Sequence, residues 1–363
     1  MSNPYNVWDQ SKSLAVVRAV KPEFSYFTDL MFGDYGITST DEWIDFEKLP
    51  QISRKIAPFV RPLGSGKPLY EDRSTGFRFK PAYSKVKEVI DPLMPLVKRP
   101  GIDKSMIHES DLSPMQRRDL IRAAMTAQAV AAIRRRWEWM AARATIDGKY
   151  TVEGEEYPAV ELDFLRNPSH TVVKTPGTYW GDSGVSIFDD IQTYADRMFD
   201  ADFGGYPTRI TITPKVWKVM RNDPEFMKHM DNQIRDPRAT VERGVIGPDK
   251  IIKVGEITVG GNSGAVIEIW LHRDTYRDPN DGLMKPFLND GDILLTASAA
   301  AFMGYRCFGA IIDPYAKYQA LEIFARGWME QGDPAVEYML WQSAPLMVPL
   351  NPDATLKATV VAP

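Results

Sequence analysis

One uninterrupted stretch constrains this chain more than any other feature: residues 115–147 contain neither glycine nor proline. Ser113 before the stretch, Pro114 at its start and Gln116 match an N-cap, a proline in the first turn and a capping-box partner. Gly148 is a residue at which a helix commonly ends. A helix of roughly 30 residues is about 45 Å long, so the sequence predicts one long helix on which other layers are packed.

Apolar residues recur along this stretch at steps of three and four, which is the spacing of one helix face. They are Ile121, Met125, Ala129, Ile133, Trp137, Met140 and Ala144. The other faces carry alanines and arginines, including the triplet 134–136. We interpret the triplet as an exposed helix face on which Arg134 pairs with Glu138, four residues further on. Contact with nucleic acid is the functional alternative.

Residues 1–62 have the pattern of an arm rather than of a domain. Scattered prolines exclude long helices, and an alternating pattern at 43–46 predicts a short strand. Large apolar side chains such as Phe24, Tyr26 and Phe27 have to be buried. The sequence leaves open whether they are buried in the chain's own core or against a neighbouring subunit.

Residues 63–105 are rich in glycine and proline and predict a long hairpin. Its clearest strand is 77–80, where Phe77 and Phe79 share one face, and a looser alternation follows at 85–89. The hairpin has little core of its own. We therefore expect it to project from the subunit and to contact another one.

After the long helix, residues 150–164 predict a second hairpin with its turn at Gly154, and an amphipathic helix begins near Ile187. Further helices are predicted after Thr213 and Asp223, with a hairpin turn at 260–264. The predicted strands are 210–212, 251–254, 257–259, 266–271, 293–295, 308–312, 321–324 and 338–342. Because helices and strands do not alternate regularly, the fold class is α+β rather than a doubly wound sheet.

Composition excludes several classes of function. The net charge is −4, from 44 basic and 48 acidic residues, so no basic field covers the whole chain. The single cysteine, Cys307, can form neither an internal disulfide nor a cysteine zinc site. No apolar stretch is long enough to span a membrane, and the four histidines never fall at metal-ligand spacing. We expect no metal, no cofactor, no membrane contact and no enzymatic activity.

One short motif could carry chemistry. Residues 181–184, Gly-Asp-Ser-Gly, are similar to the surroundings of the nucleophile in chymotrypsin-like proteases, and His170 is the nearest histidine in sequence. Nothing orders a triad around Ser183, so we interpret the motif as a polar loop and helix N-cap. A cytoplasmic serine hydrolase using Ser183 is kept as an alternative.

Two longer segments carry a family resemblance. Residues 148–164 and 332–347, the second continuing to Asp353, resemble the major capsid proteins of lambda-like phages. Weaker similarity extends over nearly the whole chain. The resemblance implies the Hong Kong 97-type capsid fold. Mapped onto this sequence, that fold implies an N-terminal arm at 1–62, an extended loop at 63–105, a peripheral domain at 106–186 with its spine helix at 114–147, an axial domain at 187–305 and a return to the peripheral domain at 306–363.

The resemblance further implies a structural major head protein of a tailed double-stranded DNA phage. Such a protein assembles into hexamers and pentamers of an icosahedral shell, in the host cytoplasm and then as part of the virion. The implied partners are other copies of the chain, a portal protein, a scaffold or head protease, a decoration protein at three-fold positions and packaged DNA in non-specific contact. A cellular nanocompartment shell of the same fold is the alternative.

Some shells of this fold join their subunits by lysine–asparagine isopeptide bonds. Here Lys80, Lys85 or Lys87 could supply the amine and Asn351 the amide. Lambda-like members are generally stabilised by decoration instead, so we expect no cross-link.

Overall fold

A computed structural model of the chain describes residues 8, 10–21, 23–33, 35–48, 75–96, 113–154, 157–201, 204–234, 251–259 and 265–362. The helices are α1 Gln10–Ala19, α2 Tyr26–Met31, α3 Pro114–Ile146, α4 Ile187–Asp200, α5 Pro214–Met220, α6 Pro224–Ile234 and α7 Ala299–Phe302. The strands are β1 Tyr35–Thr38, β2 Ile44–Lys48, β3 Thr75–Phe79, β4 Ser84–Ile90, β5 Lys149–Gly154, β6 Tyr157–Asp163, β7 Thr171–Val173, β8 Arg209–Ile212, β9 Ile251–Val259, β10 Ala265–His272, β11 Thr275–Arg277, β12 Met284–Pro286, β13 Asp292–Thr296, β14 Gly304–Phe308, β15 Phe324–Glu330, β16 Val336–Ser343, β17 Pro345–Pro349 and β18 Thr355–Thr359.

The long helix α3 confirms the strongest prediction from the sequence. It has 33 residues, and both bonds of its capping box are present: Gln116 N donates to Ser113 Oγ at 3.3 Å, and Ser113 N donates to Gln116 Oε1 at 2.8 Å. Asp147 is the C-cap, and Gly148 follows with a φ of +69°, a left-handed conformation that favours glycine. All members of the apolar stripe are buried except Met125, which is half-buried. The helix therefore runs through the core of the molecule.

A six-stranded mixed sheet has the order β7-β18-β13-β8-β10-β9. Two of its strands, β7 and β18, lie outside the segment 187–305 in which the sequence placed the compact unit. The reason is hydrogen bonding across the sheet: β18 pairs with β13 on one side and with β7 on the other. The two strands predicted at 251–254 and 257–259 are one continuous strand, β9, paired with β10.

Two three-stranded sheets, β1-β14-β17 and β15-β16-β4, flank α3. The strands predicted at 308–312 and 321–324 are displaced, because β14 ends at Phe308 and β15 begins only at Phe324. Between them Pro314 opens a short turn that Asp313 caps, its carboxylate accepting from Tyr315 N at 2.9 Å. A proline without an N–H at this point is incompatible with continuing the strand.

The single hairpin predicted from 63 to 105 is wrong in its pairing. Strand β3 pairs with β2, whereas β4 pairs with β16. Phe79 explains the first pairing, since its ring lies 6.4 Å from Phe46 and 5.3 Å from Phe164. Residues 63–74 and 97–105 of this prediction, and the turn predicted at 260–264, lie outside the described residues.

The apolar cluster of the N-terminal arm is buried in the subunit's own core. Tyr26 and Phe27 lie on α2, Phe32 follows it, and all three are buried. The Phe27 ring lies 6.3 Å from Phe287. The large apolar side chains of the arm are therefore buried in the chain's own core and not against a neighbouring subunit.

Candidate assembly surfaces

Ser183 has no catalytic neighbourhood in the part of the chain that the structure describes. It is exposed in a turn, and the N-cap of α4 is Ser186, whose Oγ accepts from Asp189 N at 3.3 Å. The predicted loop is therefore confirmed, but the cap is a different serine. His170 is fully buried, and its Nδ1 lies 3.1 Å from Thr355 O.

Cys307 is buried on β14, where burial raises the pKa of its thiol to about 12. The thiolate, which is the reactive form, is therefore scarcely populated near neutral pH. Among the described residues, no three His, Cys, Asp or Glu side chains form a group that could hold a metal ion. No helix within the described ranges is long and apolar enough to cross a membrane.

The arginine triplet is largely engaged inside the subunit. Arg135 bonds to Asp274 and to the carbonyl of Thr275, and the guanidinium of Arg136 lies 5.2 Å from the Trp139 ring centre. The predicted pairing of Arg134 with Glu138 is wrong. The Glu138 carboxylate is buried and faces the arm, which supplies better partners.

Three donors of α2 converge on Glu138. Phe27 N donates at 2.8 Å, Thr28 N at 2.9 Å and Thr28 Oγ at 2.8 Å. Burial raises the pKa of this carboxyl group above its ordinary value, while the three bonds oppose that rise. On its other side, α2 touches the six-stranded sheet through Tyr26, whose hydroxyl is hydrogen-bonded to Thr211 Oγ1 at 2.8 Å. The arm thus joins α3 to that sheet.

A buried ionic cluster fixes the N-terminal half of α3 to β16. Glu337, 2 % exposed, accepts from Arg118 at 2.6 Å and from Arg122 at 2.7 Å. Arg122 also bonds to Asp119, which accepts in turn from the indole N–H of Trp8 at 2.8 Å. Every charge in the cluster has an opposite partner, as burial requires.

The residues proposed for a covalent cross-link are tied within the subunit. Asn351 is 9 % exposed, and its side-chain amide donates to Ala301 O at 2.9 Å. Lys80 pairs with Glu42 at 2.7 Å, and Nζ of Lys87 lies 4.3 Å from the Tyr338 ring centre. These contacts support the expectation of no cross-link, which stays a prediction.

Two antiparallel pairs and one loop expose side chains that a solitary subunit leaves uncovered. In the β2–β3 pair, Arg78 and Asp45 form an ion pair at 2.7 Å with both side chains mostly exposed. In the β5–β6 hairpin, Val160 is 42 % exposed. The loop between β14 and β15 exposes 68 % of Ile312 and 66 % of Tyr315. Single exposed apolar side chains occur on most soluble proteins, so it is the pair in this one loop that favours protein–protein contact.

Together these features define a class: a subunit with a long buried helix, and with strand pairs and a loop that expose charged and apolar side chains, suited to association with other subunits. The chain belongs to the family described as phage major capsid protein E, whose model matches residues 12–360. It is 28 % identical over 324 residues to the major capsid protein of Escherichia phage lambda, covering 86 % of this chain and 88 % of the relative. It is 29 % identical over 304 residues to that of Enterobacteria phage P21, covering 82 % and 83 %.

A solved structure has the same fold. It is described as a capsid protein of a prophage of Escherichia coli CFT073, with a TM-score of 0.69 and 22 % identity over 98 % of this chain and 99 % of that one. The expected α+β, Hong Kong 97-type capsid fold is therefore confirmed. The chain is a major capsid protein of a tailed phage, and it acts as a structural component of the virion shell, built from many copies. The relatives favour this function over that of a nanocompartment.

Proposed function

We propose that the chain closes into an icosahedral shell of hexamers and pentamers around double-stranded DNA, without any enzymatic step of its own. The observation that carries this proposal is the family match over residues 12–360, in a chain whose strand pairs expose charged and apolar side chains. A shell needs many weak contacts per subunit, and each additional contact acts through effective concentration. The exposed side chains of β2–β3, of β5–β6 and of the loop after β14 supply such contacts.

The arrangement of the subunit and its partners belongs to the same proposal. In this proposal the arm is segment 1–62, the extended loop 63–105, the peripheral domain 106–186, the axial domain 187–305 and the return to the peripheral domain 306–363. Strands β7 and β18 lie outside 187–305 but belong to the six-stranded sheet of that segment. A portal protein, a scaffold or head protease and a decoration protein at three-fold positions complete the particle. Assembly takes place in the host cytoplasm, and the packaged DNA is held by non-specific contacts.

Electron microscopy of the purified chain tests this proposal, with a scaffold or other head protein supplied if the chain alone is inert. We expect angular shells of uniform diameter whose reconstruction resolves hexamers and pentamers. Tubes, or no particles under any of these conditions, would contradict it.

The absence of enzymatic activity is tested at Ser183. We expect neither the chain nor its Ser183→Ala variant to be labelled by a fluorophosphonate probe, because no base is positioned beside this exposed hydroxyl in the described structure. A known serine hydrolase serves as the positive control. Labelling that is lost in the Ser183→Ala variant would establish a nucleophile.

A further inference from the structure

The sheet β15-β16-β4 has two different faces. On one face, Glu337, Met339 and Trp341 of β16 are buried on the side of α3. On the other face, the rings of Trp328 and Tyr338 stack at 5.4 Å with an interplanar angle of 19°. Both rings are partly exposed, so the outer face presents a flat aromatic surface to solvent.

Cations surround the stacked rings. Nζ of Lys87 lies 4.3 Å from the ring centre of Tyr338, and the guanidinium of Arg326 lies 5.0 Å from that of Trp328. Lys85 is exposed two residues before Lys87 on β4. Arg326 pairs with a carboxylate of its own chain, but neither Lys85 nor Lys87 forms an ion pair with any other described residue. The face thus combines aromatic area with two lysines that form no ion pair within the described ranges, and its one carboxylate beside the rings, Glu330, is hydrogen-bonded to Tyr338.

The β5–β6 hairpin has complementary properties. Buried Tyr150 and Leu162 anchor its base, whereas residues 158–161 are exposed. Segment 149–163 carries one lysine and five acidic residues, which gives a net charge of −4. An isolated two-stranded hairpin is at best marginally stable in water. The exposed part of the hairpin therefore gains from a surface that covers it.

We propose that the acidic β5–β6 hairpin of one subunit docks on the outer, basic aromatic face of β15, β16 and β4 in a second copy of the chain. Glu153 and Glu161 of the hairpin meet Lys85 and Lys87 of the face. Exposed Ala159, which lies on the same face of β6 as Glu161, packs on the stacked rings. Opposite charges align the two elements, while apolar contact with the aromatic rings supplies most of the affinity.

A second copy is the occupant because the hairpin lies elsewhere in its own subunit. Asn280 Nδ2 donates to Glu153 Oε1 at 3.1 Å, which places the hairpin beside the turn between β11 and β12. Among the described residues, Glu161 is held only by an exposed ion pair with Lys149 at 2.7 Å. Exposed pairs of this kind are weak and exchangeable. The inference rests on the proposed function, since a shell is what brings many copies together.

Reciprocal charge reversal in the full-length chain tests the pairing. The variants are Lys85→Glu with Lys87→Glu on the face, Glu153→Lys with Glu161→Lys on the hairpin, and all four substitutions combined. Lys218→Glu, on the exposed side of α5, is the matched control. Shell yield is measured by sedimentation and electron microscopy under conditions in which the unmodified chain assembles, with circular dichroism and retention on double-stranded DNA as parallel measurements.

We expect each reversed pair to lower shell yield about tenfold or more, which corresponds to a loss of about 1.4 kcal/mol per contact. The variant with all four substitutions should recover most of the lost shell yield. The control should assemble normally. Normal assembly of both reversed pairs overturns the inference, and so does a fourfold variant no better than either pair. A face variant that loses only DNA retention also overturns it, in favour of nucleic acid. Failure of the unmodified chain to form shells would instead contradict the proposed function.

Discussion

At the scale of single residues, the side chains that matter most are buried polar groups whose partners come from distant parts of the chain. Glu138 of α3 receives three hydrogen bonds from α2, more than 100 residues earlier in the sequence. His272 of β10 lies among aromatic rings, 5.3 Å from the ring of Tyr26 and 5.4 Å from that of Phe27. Both groups stabilise the attachment of the arm.

The first prediction concerns Glu138. The substitution Glu138→Ala leaves three buried donors without an acceptor, and each unsatisfied donor costs about 1–3 kcal/mol, less whatever water recovers. We expect the free energy of unfolding in urea to fall by about 2–4 kcal/mol. Glu225→Ala, on the exposed side of α6, should change it by less than about 0.5 kcal/mol. Equal values for the two variants would show that the arm is not held by this carboxylate.

The second prediction concerns His272, where burial lowers the pKa from 6.5 to about 4. The folded state favours the neutral ring, so between these values the unfolded chain binds more protons, and stability is lost as the pH falls from 6.5 to 4. The loss reaches at most about 3 kcal/mol. Asp274 and Arg135 act on His272 directly, and Arg209 and Glu268 act on the neighbouring Tyr26. The raised pKa of Glu138 changes stability in the opposite sense over the same pH range.

Other groups also titrate between pH 6.5 and pH 4, so the contribution of His272 is measured as the difference between the unmodified chain and a variant that lacks this histidine. Unfolding free energies of the unmodified chain and of the His272→Phe variant are compared from pH 7 to pH 4. We expect a shallower decline in the variant. Parallel curves would mean that His272 does not contribute to the acid sensitivity of the subunit.

At the scale of elements, the fold depends on α3, which packs on the arm, on both flanking sheets and on the β5–β6 hairpin. Its buried ionic cluster fixes one half to β16, and its Glu138 fixes the other half to the arm. Without these contacts the apolar face of the helix would be exposed to solvent.

The third prediction is the effect of a proline in the middle of α3. Ala129→Pro removes a backbone hydrogen bond and clashes with the preceding turn, which destabilises by about 3 kcal/mol or more. Ala131→Gly, at an exposed position two residues on, should cost only about 1 kcal/mol. We expect the soluble yield of the proline variant to collapse while the glycine variant remains folded by circular dichroism. Wild-type yield of the proline variant would contradict the central role of α3.

At the scale of the whole molecule, the subunit is one member of a shell, and its behaviour in solution follows from many weak, repeated contacts. Exposed ion pairs such as Arg78–Asp45 contribute little individually and are screened by salt. Exposed apolar side chains such as Ile312 and Tyr315 add area that only a neighbour can cover. Assembly should therefore be cooperative.

The fourth prediction is a sharp concentration threshold for assembly. Light scattering at fixed ionic strength should stay flat below a critical protein concentration and rise steeply above it, because a few contacts alone cannot hold a subunit. Raising the salt concentration should shift the threshold, since part of the contact is ionic. A smooth monomer–dimer isotherm that stops at the dimer, with partner proteins present, would contradict assembly into a shell.

What the sequence determined by itself is local. The ends of α3 follow from Ser113, Pro114 and Gly148, because caps and left-handed glycines act within one turn of a helix. The β5–β6 hairpin follows from alternation around Gly154. The family was also evident, from the long segments 148–164 and 332–347.

Only the tertiary structure decided which distant elements meet. Strand β4 pairs with β16 rather than with β3, and β18 returns to the sheet of β13, because local alternation shows that a residue is in a strand but not which strand lies beside it. Glu138 illustrates the same limit at the residue scale. The spacing of four residues predicted an ion pair between Glu138 and Arg134. Because the Glu138 carboxylate is buried, its hydrogen bonds to α2 contribute more to stability than an exposed ion pair would.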